Sequence, residues 1–379
     1  MHKPKYITKI SNITQIDKND QKRLENVTDK FMFRTNDYYQ SLIDWDDPND
    51  PIRRIVIPTQ AELVNWGKLD ASDEKSYTKV PGLEHKYKST ALLLVNDVCG
   101  AYCRFCFRKR LFMNDNDEVV RDVTAGLEYI RAHKEITNVL LTGGDPLILS
   151  TGKLESIISR IREIDHVQII RIGTKIPAFN PFRIINDPAL QDLLNTYSTY
   201  DKKIYIMAHF NHPRELTEHA IEALNILLQS GVTIVNQTPL VRGVNDDANV
   251  LAELFNKLSF IGVPPYYLFI CRPTLGNKTF AVPVEEAFDI FELARMQCSG
   301  LGKRARLVMS HNTGKIEVVG KTETNIFMRY HQAANPQKRA RFMMFKRKSD
   351  AYWFDDYDEA LEEYSIKNSI ESEIMYNIE

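Results

Sequence analysis

Three of the five cysteines fall within eight residues, as Cys99, Cys103 and Cys106 in the segment CGAYCRFC. Cysteine thiolates hold iron–sulfur clusters, and a [4Fe–4S] cube with only three thiolates has one iron open to another ligand. The amino and carboxylate groups of S-adenosylmethionine can chelate that iron, and one electron from the cluster then cleaves the sulfonium to give a deoxyadenosyl radical. The spacing therefore indicates a radical-generating cluster.

Two simpler sites also use cysteines. A structural zinc site normally shows paired ligand spacings and a His or Cys partner elsewhere in the chain, and a bacterial ferredoxin run has two residues between successive cysteines. The spacing here is three residues and then two. Both alternatives fit it less well than the radical cluster does.

The segment TGGDPL provides a second candidate site with Gly143, Gly144 and Asp145. Glycines let a backbone approach a ligand closely, and the Asp145 carboxylate can take an ammonium group. Taken alone, the segment is better explained as a plain turn from a strand to a helix.

Short apolar runs alternate with helical stretches of about 12 residues from Ala91 onward, which predicts parallel strands with crossover helices. Six or seven such units favour a full or partial barrel, with its chemistry at the carboxyl ends of the strands. Polar residues follow the predicted strands: Cys99, Asp145, Lys175, His209, Asn211, Gln237, Arg272, His311 and Lys315.

The composition argues against two classes of function, nucleic-acid binding and membrane insertion. A formal net charge of -1 and a pI near 6.8 provide no basic field for a phosphate backbone, so nucleic acid is not an expected partner. No apolar run has the length of a signal peptide or a membrane span. We therefore expect a cytoplasmic protein.

These motifs, in this order, resemble the lysine 2,3-aminomutase family of radical S-adenosylmethionine enzymes. The similarity covers about residues 81–320, including PGLEHKY, AHFNHPREL, GVTIVNQTPLVRGVND and GKIEV. It implies a partial (β/α)6-type TIM barrel of the radical SAM superfamily over 81–320. A helical N-terminal extension over 1–80 and a C-terminal extension over 321–379, predicted to be a helix or an arm, would flank it.

The resemblance also implies three cofactors: the [4Fe–4S] cluster, S-adenosylmethionine and pyridoxal 5′-phosphate. Lys315 matches the lysine that bonds covalently to the pyridoxal group, and Tyr87 matches the ring that packs on it. Lys86 stands where the family has an arginine beside that ring, and Arg108 matches the arginine that holds the substrate α-carboxylate. The remaining matches, His209 and Gln237, fall in segments that line the cofactor pocket.

The sequence departs from the family twice. Only Gly314 remains of the glycine run before the pyridoxal lysine, so Lys315 also fits an ordinary exposed loop lysine. Arg272 stands where lysine-specific members have an aspartate that pairs with the substrate ammonium. The reversed charge predicts that lysine is a poor substrate and that an acidic side chain, such as that of glutamate, is bound with help from Ser310 or Asn312. Alternatively, Arg272 pairs with a surface acid.

The expected activity is therefore amino migration that gives a β-amino acid. One alternative is a radical enzyme without pyridoxal phosphate that performs dehydrogenation, epimerisation or modification of a protein lysine. The other is a non-enzymatic cluster protein. The expected partners are a small-molecule amino acid, an electron donor such as flavodoxin or ferredoxin, and a second copy of the chain in a homo-oligomer.

Overall fold

The computed structural model describes residues 2–113 and 118–365, and one long sheet dominates it. The strands are β1 (Tyr6–Ile7), β2 (Thr35–Asn36), β3 (Thr78–Val80), β4 (Leu83–Tyr87), β5 (Thr90–Asn96), β6 (Asn138–Gly143), β7 (Ile169–Thr174), β8 (Ile204–Ala208), β9 (Thr233–Leu240), β10 (Pro265–Ile270), β11 (Arg306–His311), β12 (Gly314–Lys321), β13 (Asn325–Ala333), β14 (Phe342–Lys346) and β15 (Glu362–Tyr364). Strands β3 to β15 form this sheet in chain order, and β1 pairs with β2 separately.

The helices that precede β3 belong to the N-terminal extension, and those that follow β5 connect the parallel strands. They are α1 (Lys18–Lys30), α2 (Asp37–Gln40), α3 (Pro51–Val56), α4 (Glu74–Tyr77), α5 (Thr124–Ala132), α6 (Thr151–Arg162), α7 (Ile176–Phe179), α8 (Phe182–Ile185), α9 (Pro188–Tyr197), α10 (Glu218–Gln229), α11 (Ala248–Phe260) and α12 (Val284–Met296). Within the described ranges, no helix is long and apolar enough to span a bilayer.

Strands β5 to β11 are parallel, and a helical crossover follows each of the first six. The sheet curls until its two flanks meet through side chains. The Lys86 ammonium on β4 donates to the His311 carbonyl on β11 at 2.6 Å, and the Tyr77 hydroxyl donates to the Asn312 carbonyl at 2.8 Å. Because these flanks are not joined by strand pairing, the barrel is partial, which confirms the predicted fold class.

The pattern of the sequence explains these elements. Along β9, buried and partly exposed residues alternate strictly, as expected for a strand with two different faces. The helix α10 begins where the Thr217 side chain accepts from the Ala220 amide, and α11 begins where Asp247 caps two amides. Apolar faces such as Ile158 and Leu224 pack on Leu141 of β6 and its neighbours, and each fully buried side chain stabilises the fold by about 1.5–3 kcal/mol.

The N-terminal extension is less uniformly helical than predicted. It includes α1 and α3, but its last residues form β3, which pairs antiparallel with β4 and so joins the barrel sheet. A separate apolar core fixes the extension: Ile13, Ile52 and Ile55 pack with Phe179 and Phe280 from the barrel loops. The extension therefore covers the mouth of the barrel.

The C-terminal arm consists of strands, because β12 to β15 continue the sheet as antiparallel neighbours. Within the described part of the arm, which ends at residue 365, a helix of the predicted kind is not found; residues 366–379 lie outside the described range. The proposed boundary at 320 falls inside β12. Lys315 is therefore a residue of a paired strand rather than of a loop.

Candidate active site

A cavity of about 600 Å³ lies inside the curl of the sheet. Its wall includes the three clustered cysteines, the TGGD turn, and residues of strands on both flanks. The sequence-predicted residues that line it are Lys86, Tyr87, Cys99, Cys103, Cys106, Arg108, Gly143, Gly144, Asp145, His209, Gln237, Arg272 and Lys315. Asn312 does not line it, because it sits in the turn between β11 and β12, where its carbonyl accepts from Tyr77.

The cysteine loop follows β5 and is held by the N-terminal extension. The Arg34 guanidinium donates to the Cys99 carbonyl at 2.9 Å. Arg104, between the second and third cysteines, forms a buried ion pair with Glu62 at 2.8 Å. Two contacts from distant parts of the sequence therefore set the path of this loop.

The three thiols fit an iron–sulfur cluster. They line one cavity, and burial raises the pKa of each, to about 12 for Cys103, so they need a positive partner to ionise. Among the described residues, no three His, Cys, Asp or Glu side chains converge to hold a single metal ion. This agrees with a cube, because each thiolate there binds a different iron.

The TGGD turn packs against the cysteine loop and also lines the cavity. Gly143 has φ of +108°, which an L side chain rarely adopts, and a Cβ on Gly144 would lie 2.5 Å from the Val98 carbonyl oxygen. The close approach that the glycines allow is thus to the backbone before Cys99. The two segments form one rigid unit.

Asp145 is engaged within the protein. Its carboxylate accepts from the Thr174 hydroxyl at 2.7 Å and from the amides of Lys175 and Leu147 at 2.7 and 3.0 Å. Burial raises its pKa to about 6, against these hydrogen bonds. The three internal donors fix the loops after β6 and β7, and Asp145 also lines the cavity, where the sequence predicts an ammonium ligand for it.

Lys315 reaches into the cavity from β12. Its ammonium nitrogen lies 4.7 Å from the centre of the Tyr87 ring and donates to the Gln332 side-chain oxygen at 3.2 Å. Burial, together with the charges of Arg171, Lys86 and Arg272, lowers the pKa of Lys315 to about 7. It is therefore no exposed loop lysine but a buried amine of which about half is neutral, and so nucleophilic, at pH 7.

The surroundings of Lys315 suit the aldehyde and phosphate groups of pyridoxal phosphate. Lys86 lies 5.6 Å from the centre of the same Tyr87 ring, and burial lowers its pKa to about 8. Arg171 on β7 lines the cavity and donates to the neutral side chain of Asn138 at 2.8 Å. Lys86 and Arg171 therefore provide positive charge for an anionic group beside the Tyr87 ring.

Arg108 faces the cavity but already has an acidic partner. Its guanidinium binds both oxygens of Glu74 at 2.8–3.1 Å and donates from Nη1 to the Thr142 hydroxyl at 2.9 Å. Burial would raise the pKa of Glu74, but Arg108 and then Arg110 override it and lower the pKa to about 2. Glu74 is thus an ionised residue of the site that sequence reasoning missed, because it is 34 residues away from Arg108.

Arg272 turns into the cavity rather than toward a surface acid. Its guanidinium lies 3.8 Å from the centre of the Phe107 ring and donates to the Ser72 hydroxyl. No carboxylate within the described ranges lies within ion-pair distance of it. Burial lowers its pKa to about 10, which leaves it charged at neutral pH.

His209 directly follows β8, and Gln237 lies on the adjacent strand β9. Burial, and then the charge of Lys175, lower the pKa of His209 well below its usual value, so the ring is neutral. Its Nε2 is buried and has no hydrogen-bond partner among the described residues. Buried polar atoms without partners are rare, which makes this nitrogen a candidate ligand contact beside the cysteines. Gln237 lies within β9 rather than after it.

This cavity, with three thiols and a buried lysine at the carboxyl ends of parallel strands, defines the class of protein. Residues 93–255 match the family model of the radical SAM superfamily. A solved radical SAM methyltransferase from Sphaerobacter thermophilus aligns over 60% of this chain and 68% of its own, with a TM-score of 0.40 and 19% identity. The family match, together with the sequence identity to curated aminomutases, shows that the chain is a radical S-adenosylmethionine enzyme.

Curated relatives narrow the class. A protein of Aquifex aeolicus named "Putative L-lysine 2,3-aminomutase" is 61% identical over 96% of this chain and 97% of its own. The L-lysine 2,3-aminomutase of Clostridium subterminale is 42% identical over 69% and 62% of the two chains, and the glutamate 2,3-aminomutase of Clostridioides difficile is 35% identical over 77% and 68%.

The chain belongs to the lysine 2,3-aminomutase family, and it is an isomerase that acts on a small-molecule amino acid. Membership implies a [4Fe–4S] cluster and S-adenosylmethionine, and the family's lysine 2,3-aminomutases also use pyridoxal phosphate.

Proposed function

We propose that this enzyme moves the amino group of an acidic amino acid such as glutamate from the α to the β carbon, using pyridoxal phosphate on Lys315. The position of Lys315 carries the proposal: its amine lies over the Tyr87 ring inside the cavity that the three cysteines line. When bound, the cluster with S-adenosylmethionine supplies a carbon radical, and pyridoxal phosphate supplies the π system across which nitrogen migrates.

The chain's own residues divide the work. Cys99, Cys103 and Cys106 hold the cluster, and Lys315 provides the amine for the pyridoxal aldehyde while Tyr87 packs on the ring. Arg171 and Lys86 supply the positive charge that a phosphate needs beside that ring. The buried His209 nitrogen and Gln237 complete the pocket near the cluster.

Substrate orientation depends on two arginines. Arg108 offers its remaining Nη hydrogens to the substrate α-carboxylate, with Glu74 fixing the plane of the guanidinium. Arg272 faces the side chain. Because Arg272 is charged and no acid neutralises it in the described structure, it favours a carboxylate and repels the ammonium of lysine. Ser310 lines the cavity and can assist, whereas Asn312 cannot from its present position.

A one-electron donor such as flavodoxin or ferredoxin, assembly as a homo-oligomer and a cytoplasmic location complete the proposal. These rest on the family resemblance and on the sequence.

The test is to trap the lysine. Purified enzyme with pyridoxal phosphate is treated with borohydride, and the modified peptide is identified by mass spectrometry. We expect the adduct on Lys315, its loss in Lys315→Ala, and its retention in the matched control Lys86→Arg, which removes a second cavity amine of lowered pKa but keeps the positive charge for the phosphate. Because the pKa of Lys315 is about 7, adduct formation should rise through pH 7 and level off above it.

The absence of an adduct in the wild-type enzyme would contradict the proposal. It would instead favour a radical enzyme without pyridoxal phosphate, such as a dehydrogenase, an epimerase or a modifier of protein lysines. An adduct lost only in Lys86→Arg would move the covalent role to Lys86.

A further inference from the structure

Glu84 on β4 is a buried carboxyl group in the cavity wall with an incomplete set of partners. The residue is 4% exposed, and its Oε1 accepts no hydrogen bond from the residues that the structure describes. Nη2 of Arg108 lies 3.9 Å from this oxygen, which is beyond hydrogen-bond distance. Leaving a buried polar atom unpaired costs free energy, so the arrangement points to a partner that enters the cavity.

The positive charge near Glu84 is already shared with another acid. Glu74 forms ion pairs with Arg108 at 2.8 Å and with Arg110 at 2.6 Å. Arg110 also forms an ion pair with Glu118 at 2.8 Å. Arg108 is therefore already paired with Glu74 when a ligand binds. Its attraction for a substrate carboxylate is weaker than that of a free guanidinium, and a second donor beside it would restore the affinity.

The charges around Glu84 decide its protonation. Those facing it from the packed elements are Glu74 on α4, Lys86 on its own strand, Arg108 and Arg110 after the cysteines, Glu118, and Arg272 after β10. Burial and the charge of Glu74 raise the pKa of Glu84 to about 8, against the opposing charges of Arg108 and Arg110. Two neighbouring carboxyls that cannot both ionise share one proton, and Glu84 holds it at neutral pH.

We propose that Glu84 is a substrate-binding residue whose neutral carboxyl group donates a hydrogen bond to the substrate α-carboxylate beside Arg108. The inference rests on the proposed function and adds a specificity-determining contact to it. A protonated carboxyl is a donor, and its bond to a carboxylate is charge-assisted and short. Loss of the proton at higher pH would replace this bond with repulsion between two anions.

The experiment measures binding of L-glutamate to the enzyme loaded with pyridoxal phosphate, without S-adenosylmethionine, so that no turnover occurs. For the wild type we expect the dissociation constant to rise about fivefold between pH 8 and 9, as the protonated fraction falls. Glu84→Gln keeps the size and a donor but cannot titrate, so its affinity should stay flat over this range. The control Glu222→Gln removes an exposed carboxylate on α10 that does not line the cavity and should follow the wild type.

An unchanged pH dependence in Glu84→Gln would overturn this inference alone. A wild type that binds no amino acid would overturn the proposed function and this inference together. Infrared difference spectroscopy provides a readout without ligand: a neutral carboxylic acid band at pH 7 should disappear in Glu84→Gln and remain in Glu222→Gln. Absence of that band from the wild type would also overturn the inference.

Discussion

Arg272 determines the sign of the charge that a substrate side chain meets. It stacks on Phe107 and donates to the neutral hydroxyl of Ser72, so neither contact cancels its charge. A charge-assisted hydrogen bond is worth about 1.5–3 kcal/mol, which corresponds to roughly a 10–150-fold preference. Specificity in this account therefore depends on a single side chain.

Replacing Arg272 tests that dependence. Arg272→Asp should lower kcat/KM for glutamate at least tenfold and raise it for lysine, because the new carboxylate pairs with the ammonium. Arg272→Gln is the matched control, since it removes the charge without reversing it. It should lose glutamate activity and gain none with lysine. Undiminished turnover of glutamate by Arg272→Asp would show that the side chain binds elsewhere.

The sequence predicted which residues share the cavity better than it predicted their contacts. Cys99, His209 and Arg272 follow different parallel strands, and parallel strands bring their ends together, so their meeting follows from the pattern. The contacts of Asp145 with Thr174, and of Arg108 with Glu74, depend on side-chain direction and on residues 29 and 34 positions away. A single sequence carries no signal for either pair.

At the scale of elements, the turn after β6 and the loop after β5 act as one unit because two glycines let their backbones touch. The Gly144 amide donates to the Asn96 carbonyl, and the Asp145 amide donates to the Val98 carbonyl at 2.9 Å. The cluster ligand Cys99 comes directly after this contact. Displacing the turn should therefore move the ligand.

Gly144→Ala makes this testable. The new Cβ would meet backbone atoms of Val98 at 2.5–2.8 Å, which cannot give way as a flexible side chain would. We expect the iron content after reconstitution to fall at least severalfold and the melting temperature to drop. The control Gly152→Ala, on α6 with open space around it, should keep its iron and gain about 0.5–1 kcal/mol of stability. Equal iron in both variants would contradict the coupling.

Hairpin strands place Lys315, and this part of the fold was hard to predict. The chain turns back after His311, so β12 runs antiparallel to β11 and carries Lys315 opposite Ser310. The alternation of strands and helices in the barrel does not predict this change to antiparallel pairing. The short segment HNTG reads as a loop, and the basic, aromatic residues after it contain no clear alternation.

At the scale of the whole molecule, the N-terminal extension holds the cysteine loop by a buried ion pair. Glu62 lies in the 3-10 helix Gln60–Leu63 and binds Arg104 at 2.8 Å, with both side chains nearly inaccessible. Arg104 also donates to the Met32 carbonyl at 2.9 Å. The extension is therefore part of the active site's support, although the family resemblance begins only near residue 81.

Breaking the buried Glu62–Arg104 ion pair should lower the free energy of unfolding more than breaking an exposed ion pair does. Glu62→Ala leaves the Arg104 charge buried without a partner, and we expect a loss of about 3–5 kcal/mol in the free energy of unfolding. Glu292→Ala breaks the exposed pair with Arg295 on α12 and should change stability by less than about 1 kcal/mol. Denaturant titration measures both. Similar losses would mean that the extension does not brace the loop.

Product analysis tests the central claim most directly. The enzyme, with reconstituted cluster, S-adenosylmethionine, pyridoxal phosphate and a one-electron reductant, is incubated with equal concentrations of L-glutamate and L-lysine, and the products are separated by chromatography. The account predicts β-glutamate as the main product, with lysine nearly unchanged. Formation of β-lysine while glutamate stays intact would contradict the role of Arg272 and the acidic substrate together.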